Sequence, residues 1–405
     1  MTARDASRGS PPLVSIVTPS FQQAEFLETT IRSVLAQDYP HIEYIVIDGG
    51  STDGSVDVLR RYESRLSHWS SEPDQGQASA INKGLEMARG EIVAWINSDD
   101  YYFPHAVSTA VRRFGENERL SVFYGDAVAV TRSGAFKEYC WWTEPYERER
   151  LLSVCDFIVQ PTVFLRREHL DEVGLLDPEL EYVLDWDLWC RFARRDLVFH
   201  FERRPIAAHR VHPATKTATG GLRRLREIRR LLRRYATTGG WPYGTLLYLT
   251  GYVLDEAPLP SWGRRAAGLV LRGLGWRNYL YMLRRARLQY GIHQYSRVLC
   301  SERVSFHLPM PCPATRIVFD HRIPWAAARV GQSAQVVLNG VPAGCHPCRD
   351  DALTQSIEVP LNDAARAAGC VALDVEFSQS VRIRPLRNAL RPQRVAAVVE
   401  GVRLE

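Results

Sequence analysis

The sequence predicts an α/β fold class: a doubly wound, mostly parallel sheet, then a basic helical segment, then a C-terminal β-sandwich. Three observations carry this expectation. Over the first hundred residues, four short apolar runs alternate with stretches of helical periodicity, the pattern of parallel strands joined by crossover helices. Between Leu222 and Val298 stand fifteen arginines, no lysine and three acids, a net of +12 that leaves the remainder at −7 in a chain of overall charge +5. From about Ser301 the texture changes to short apolar runs separated by turns. The expected boundaries are a disordered lead-in over 1–12, an α/β domain over 13–220, the basic segment over 221–299 and the β domain over 300–405.

At 405 residues the chain exceeds one typical domain, and 45% hydrophobic with 24% charged residues is ordinary for a soluble globular protein. The stretch Met1 to Pro12 lacks the apolar core of a secretory signal. Eight cysteines in a chain this long do not make a disulfide scaffold, so a reducing cytoplasm is the expected setting.

The elements follow in order. Val14 to Thr18 is a β-branched run that reads as the first strand, with Pro19 to Gln23 as its loop. Ala24 to Gln37 carries Phe26, Leu27, Ile31, Val34 and Leu35 at helical spacing. Ile42 to Asp48 is a second strand ending in a carboxylate, and Gly49 to Gly54 is a turn in which Ser51 or Asp53 caps a helix through Arg61. Leu66 to Ser71 is a third strand, and Ala78 to Arg89 the next helix. Glu91 to Ile96 is a short buried strand that ends abruptly in Asn97-Ser98-Asp99-Asp100.

In an open α/β sheet, ligands bind outside the carboxyl ends of the strands. Asp48, Asp74 and the pair Asp99 and Asp100 all stand in strand-end loops and are expected to converge on one crevice. Two adjacent acids repel unless a cation joins them, and a hard divalent cation shared with a substrate's phosphates is the economical partner. The structural alternative is a turn in which Asp100 caps a helix before Pro104. Neither G-x-G-x-x-G nor G-x-x-x-x-G-K-[ST] occurs here, which argues against dinucleotide and P-loop chemistry.

Five stretches now stand together: Val14-Ser-Ile-Val-Thr-Pro-Ser-Phe21, Ile47-Asp-Gly-Gly-Ser-Thr-Asp-Gly-Ser55, Ser71-Glu-Pro-Asp-Gln-Gly-Gln77, Ile81-Asn-Lys-Gly84 and Ile96-Asn-Ser-Asp-Asp100. In order and spacing they resemble family 2 glycosyltransferases, over roughly residues 13 to 215. The resemblance implies the GT-A fold, a nucleotide-diphosphate sugar donor, Mg2+ or Mn2+ as cofactor and inversion at the anomeric centre. It further implies that Thr18 and Pro19 line the nucleotide pocket, that Asp48 contacts the base, and that Asp74 and Lys83 lie beside the nucleotide or diphosphate. Asp99 would be the metal-binding acid of the D-x-D element, with Asp100 in support. Here the element reads Asn97-Ser98-Asp99, with Asn where many relatives have the first Asp, so metal binding leans on Asp99.

Further along, Leu120 to Val130 reads as a strand broken at Gly125, and Cys155 to Arg167 as a further strand region. In Leu180 to Phe192, the apolar residues Leu184, Leu188 and Phe192 share a helical face, with Asp185 and Asp187 near the helix start. Acids there suit the positive helix end. An inverting transfer also needs one carboxylate to take the acceptor's proton. The stretch resembles the family's E-D-x-D-L-W-x-R segment, with Leu184 replacing the usual Glu and Asp185 in the position of the base. After a strand near Leu197 to Phe201, the segment Ala208 to Thr217 reads as a loop whose His209, Arg210, His212 and Lys216 suit phosphate oxygens. By the same likeness, His212 is a ligand of donor or metal.

Leu222, Leu225, Ile228, Leu232 and Tyr235 form one stripe amid arginines, a basic amphipathic helix. It suits either an anionic membrane surface or packing on the α/β domain with a solvated basic face. Tyr235 to Leu254 has no charged residue, but Pro242 and its glycines and threonines argue against a span. Gly263 to Arg287 is a second Arg-rich helical stretch, and no nucleic-acid reader motif accompanies either. In the C-terminal third, Asn339-Gly340 marks a hairpin turn, and Cys345 with Cys348 lacks the second pair a zinc site needs.

The expected function is therefore an inverting sugar transfer from a nucleotide-diphosphate donor to a glycan or lipid-linked acceptor, in polysaccharide or glycolipid assembly. The expected place is the cytoplasm, peripheral on the inner face of the cell membrane, with no nucleic-acid partner. A catalytically inactive nucleotide- or carbohydrate-binding protein on the same fold is the alternative.

Overall fold

The computed structural model describes residues 11–237 apart from 135 and 141, four positions between 244 and 249, the strands between 292 and 404, and Leu361. The expected lead-in (apart from 11–12) and the stretch Gly263 to Arg287 lie outside the described residues. By contacts the chain divides into two units, residues 1–127 with 142–274 and residues 128–141 with 275–405.

The first unit is built on β1 (Val14–Ser20), α1 (Ala24–Leu35), β2 (Ile42–Asp48), α2 (Ser55–Tyr62), β3 (His68–Ser71), α3 (Gln77–Met87) and β4 (Ile92–Trp95). These are the four strands and three helices expected from the apolar periodicity. β3, β2, β1 and β4 lie side by side and parallel, with Val14 opposite both Ile42 and Ile92. Both faces of this sheet are covered, which is why its strands are nearly continuous apolar runs. Ile16, Tyr44, Val46, Ile92 and Ala94 pack with α1 and α2 residues such as Leu27, Ile31 and Leu59. The alternate residues Val17, Ile45, Ile47, Val93 and Trp95 pack on the other face with Ile81 and Leu85 of α3.

The chain continues through β5 (Tyr101–Tyr102), α4 (Ala106–Glu116), β6 (Leu120–Val130), β7 (Phe136–Tyr139), α5 (Arg148–Ser153), β8 (Phe164–Arg166) and α6 (Arg167–Val173). Then come α7 (Leu184–Arg194), β9 (Val198–Arg210), α8 (Lys216–Thr219) and α9 (Gly221–Tyr235). Beyond β4 the sheet order is β8-β6-β9-β5, and β8 runs antiparallel to both β4 and β6. The sheet is therefore mixed, parallel in its first half.

Three local expectations are corrected. β6 is one unbroken eleven-residue strand rather than two pieces. Gly125 is there for closeness, because a Cβ at that position would stand 2.9 Å from Ile206 Cγ1 and 3.0 Å from the Arg204 carbonyl oxygen. Only residues 164–166 of the Cys155 to Arg167 region form a strand, since a 3-10 turn at Gln160–Thr162 interrupts it. The strand expected near Leu197 to Phe201 extends to Arg210, so His209 and Arg210 belong to β9 and not to a loop.

α9 packs through the C-terminal part of its stripe: Ile228, Leu231, Leu232 and Tyr235 are buried in the same core as α5 and α7, whereas Leu222 at its start is 50% exposed. Among the described residues, no helix is long and apolar enough to cross a membrane.

The C-terminal region is antiparallel: β10 (Ile292–His293), β11 (Val298–Cys300), β12 (Arg303–Pro309), β13 (Arg316–Arg322), β14 (Ser333–Leu338), β15 (Val341–Pro347), β16 (Gln355–Pro360), β17 (Cys370–Phe377), β18 (Val381–Ile383), β19 (Gln393–Val395) and β20 (Ala397–Leu404). They form sheets of order β10-β11-β20-β13-β16 and β12-β17-β14-β15, plus the pair β18-β19. Ala334, Val336 and Leu338 are buried at alternate positions of β14, as are Ile357 and Val359 of β16. One buried face per sheet is what a two-layer β arrangement requires. Leu338 pairs with Val341 across the expected hairpin, whose Asn339 and Gly340 lie outside the described residues.

Gly84 shows how tightly α3 lies on the sheet, since a Cβ there would come within 2.3 Å of Val17 Cγ1. Gly84→Ala is expected to destabilise by about 1–3 kcal/mol through overpacking. Adding Val17→Ala should recover part of that loss, as read by urea unfolding of the single and double variants.

Candidate active site

The cleft at the carboxyl ends of the parallel strands begins with the acidic turn. The Asp100 N–H donates to the Asn97 carbonyl oxygen at 3.0 Å, closing a four-residue turn with Asp99 near its tip. The turn is pinned from two sides. The Thr30 hydroxyl of α1 lies 2.8 Å from the Ser98 carbonyl oxygen and 2.6 Å from that of Asp100. From the other side, the Arg210 backbone N–H donates to Asp100 Oδ1 at 2.8 Å, and Arg210 Nε donates to the Asp99 carbonyl oxygen at 2.8 Å. The pairing of Tyr101 with Ala208 and Tyr102 with Ala207 sets this register. The Arg210 guanidinium is itself held over the Phe26 and Tyr101 rings, 4.8 and 5.7 Å from their centroids.

The two neighbouring acids have different surroundings. Asp100 is buried, its carboxylate facing the Arg210 N–H and, 3.4 Å away, His209 Nδ1. Asp99 faces His212, with Oδ2 3.2 Å from Nε2, and His212 rests against the Phe26 ring at 5.1 Å. Burial, then the Asp100 charge, push the Asp99 carboxyl up to about 6, with His209 and His212 opposing. His209 is raised: burial pulls it down, but Asp100, Asp99 and Asp185 together outweigh that.

Among the described residues, no group of three or more His, Cys, Asp or Glu side chains could hold a metal ion by itself. Asp99 and His212 still offer one carboxylate and one imidazole side by side. That carboxylate is half-buried, with His209 and His212 already favouring its charged form. The pair fits a divalent cation that takes its other ligands from phosphates and water.

The expected base, Asp185, stands in the first turn of α7 and accepts from its own neighbour's Trp186 N–H at 2.8 Å. Burial raises its pKa. Asp156 lies opposite in charge range: burial and then the Asp185 charge push it well above the ordinary carboxylate value. Its Oδ1 accepts from the Ile158 N–H at 2.9 Å. Asp187 is a different kind of acid. Its carboxylate accepts from Arg191 Nε at 2.8 Å and from the Tyr235 hydroxyl at 2.7 Å, tying α7 to α9.

The other end of the cleft lies at β1, β2 and β3. The Asp48 carboxylate accepts from the Gly50 and Ser51 N–H groups and from the Ser51 and Ser71 hydroxyls, at 3.2, 2.8, 2.6 and 2.7 Å. About four lone-pair sites are what a carboxylate has, so Asp48 shapes this loop. Thr18 is buried with its hydroxyl 3.0 Å from the Tyr44 hydroxyl, and Pro19 is buried in β1. Asp74 is exposed and accepts from the Gly76 N–H at 2.7 Å. A Cβ on Gly49 would meet Asp74 Oδ2 at 2.9 Å and Phe21 Cδ2 at 3.3 Å, so this glycine lets Asp74 and the 60% exposed Phe21 approach one another. Lys83 Nζ lies 3.2 Å from the Ser70 hydroxyl and pairs with Glu72.

The structure thus brings Asp99, Asp100 and Asp185 within electrostatic reach of His209, sets His212 beside Asp99, and places Asp74 and Lys83 beside the β3 end. Sequence reasoning missed Asp156 and the clamp role of Arg210. A single Asp before Phe157-Ile158-Val159 has no spacing signal, and the polar run around Arg210 has the texture of a loop.

Residues 15–174 match the model of glycosyl transferase family 2. A glycosyltransferase of Rickettsia typhi is 28% identical over 224 residues, 51% of this chain and 67% of the relative. TuaG of Bacillus subtilis, named for teichuronic acid biosynthesis, is 46% identical over 92 residues, 22% of this chain and only 36% of that protein. The solved S. aureus TarS 1–349 with UDP-GlcNAc superimposes with a TM-score of 0.43 at 16% identity, covering 68% of this chain and 75% of that one. The acidic turn lies within the matched residues, whereas His212, 3.2 Å from Asp99, and the start of α7 lie beyond them.

Thr30→Val removes the hydroxyl that holds the turn. It is expected to cost about 1–3 kcal/mol of stability, the usual penalty for leaving buried carbonyls unsatisfied. Differential calorimetry of the ligand-free protein checks this.

Proposed function

We propose that this glycosyltransferase moves a sugar from a nucleotide-diphosphate donor to an acceptor hydroxyl with inversion, and that Asp185 is the base. The observation that carries the reading is the half-buried carboxyl of Asp185 at the start of α7, raised by desolvation and in charge range of Asp156 and of His209 beside the acidic turn.

The nucleotide occupies the end formed by β1, β2 and β3. Phe21 offers an apolar face to the base, Asp48 holds the loop in shape, and Thr18 and Pro19 form the wall behind it. Asp74 and Lys83 flank the nucleotide and diphosphate. A divalent cation, Mg2+ or Mn2+, held by Asp99 and His212 would neutralise charge on the leaving nucleoside diphosphate. Asp100 orients that pair by anchoring the turn to β9. Asp185 takes the proton of the acceptor hydroxyl as it attacks the anomeric carbon from the face opposite the leaving group. One displacement suffices, and no covalent sugar-enzyme intermediate forms.

Asp185→Asn should lower kcat by about 10²–10⁴-fold, the usual worth of a general base, and leave donor affinity unchanged. Retained turnover would remove Asp185 from the role. Burial raises its pKa, so as pH falls kcat/KM should decline above the ordinary carboxylate range, around 4. Calorimetric titration with UDP, GDP, dTDP and CMP, each with and without Mn2+, tests the donor class. Metal-dependent binding of one nucleotide is expected, and binding of none by the folded protein would overturn the reading.

A polysaccharide or glycolipid as acceptor is supported by the name of one relative, TuaG. The setting we propose is the cytoplasmic face of the membrane. α9 supports it, since Arg223, Arg226, Arg229 and Arg230 are exposed on the face turned away from the core. Sedimentation with vesicles containing anionic phosphatidylglycerol should carry the protein down at low salt, whereas pure phosphatidylcholine should not. Gln at the four arginines should abolish the difference.

A further inference from the structure

The position where the acidic element carries Asn rather than Asp is wired into a row of amides. Gln77 Nε2 lies 2.7 Å from Asn97 Oδ1, Asn97 Nδ2 lies 3.1 Å from Gln160 Oε1, and Gln160 Nε2 lies 2.9 Å from the Trp95 carbonyl oxygen. Gln160 is buried, with 8% of its surface exposed, and Gln77 and Asn97 are half-buried at the cleft.

The direction of this row follows from its anchor. A side-chain amide presents one acceptor oxygen and one donor nitrogen, and which is which must be inferred from its neighbours. The Trp95 carbonyl oxygen can only accept, so Gln160 must turn its NH2 toward it. Gln160 then presents oxygen to Asn97, and Asn97 must answer with its NH2. Asn97 Oδ1 is left facing Gln77, which donates to it. No other orientation avoids placing two acceptor oxygens against each other.

We propose that Asn97 is a hydrogen-bond donor to an oxygen of the donor's sugar or diphosphate, not a metal ligand, and that Gln160 is the positioning residue that fixes this polarity. Resting on the nucleotide-sugar reading above, the assignment deepens it. Asn97 Oδ1 is occupied by Gln77, while Nδ2 has a second hydrogen beyond the one given to Gln160. The turn therefore offers the ligand one carboxylate from Asp99 and one N–H from Asn97, an acceptor and a donor two residues apart.

An Asp at position 97 would not restore a second metal acid. Its carboxylate would face Gln160 Oε1, and Gln160 could relieve that contact only by turning its oxygen onto the Trp95 carbonyl. One repulsive oxygen pair survives in either orientation. Gln160→Glu creates the same conflict at the other end of the row.

The test compares Asn97→Asp, Asn97→Ala and Gln160→Glu with the wild type. In metal-free, ligand-free protein, Asn97→Asp and Gln160→Glu should each lower Tm by about 4 °C, and Asn97→Asp should fall below Asn97→Ala. By calorimetry, Asn97→Asp should bind Mn2+ no more tightly than wild type and the preferred nucleotide sugar about tenfold more weakly. An Asn97→Asp protein that keeps the wild-type Tm and gains Mn2+ affinity would overturn the proposal. A folded wild type that binds no nucleotide sugar would overturn the ligand contact and the function reading together. The Tm order of the variants would still decide the polarity of the row.

Discussion

The hydrogen bond from the Arg210 backbone N–H to the buried Asp100 carboxylate joins two strand ends 110 residues apart in sequence. Everything in the cleft depends on that join. Asp99 reaches His212 because the turn below it is locked to β9, the strand that carries His209 and Arg210 and leads into His212. A buried carboxylate held this way is costly to leave unpaired, so the contact is close to obligatory once the two ends meet. The Arg210 side chain strengthens it by packing over Phe26 and Tyr101, two rings contributed by separate elements.

The same logic separates the acids that build the site from those that act in it. Asp48 accepts four hydrogen bonds, Asp187 is shared between Arg191 and Tyr235, and Asp100 is committed to β9. Their charge is met by fixed donors. Asp99, Asp156 and Asp185 are half-buried without an equivalent set of donors, and desolvation raises each of them. A carboxyl with unmet acceptor capacity at a cleft is free to take a proton or a cation, whereas a saturated one is scaffold. Asp185 and Asp187, two residues apart on one helix, fall on opposite sides of that line.

Much of this was legible from pattern alone. The first four strands and their helices follow from apolar periodicity, since each strand is buried on both faces and each helix on one. Asp48, Asp74 and Asp99 stand at strand ends because strands of this type end where the apolar run ends. What was not legible depends on pairing across the sheet. Gly125 looks like a break in one dimension and is a close approach to β9 in three. The segment His209 to Arg210 is polar enough to read as loop, but it continues the strand whose Ala207 and Ala208 pair with Tyr102 and Tyr101, and the Arg210 N–H reaches Asp100. Asp156 has no local signature, because what gives it meaning is a carboxyl 29 residues further on.

The basic helix α9 shows the limit of an amphipathic pattern more sharply. Its stripe and its arginines suit insertion at a membrane surface and packing on a domain equally well, because the hydrophobic face is the same in both. Tyr235 decides between them: its hydroxyl donates to Asp187 at 2.7 Å, and Ile228, Leu231 and Leu232 fill the core behind it. The packed part of that face cannot also enter a bilayer, and of the stripe only Leu222, at the helix start, is left exposed. Attraction of α9 to an anionic surface then comes mainly from charge, through guanidinium groups in water. Such attraction decays over about 8–10 Å at physiological salt and is weakened by raising it, whereas a helix anchored by buried leucines would hold. The packing of one helix therefore converts a question of insertion into one of ionic strength.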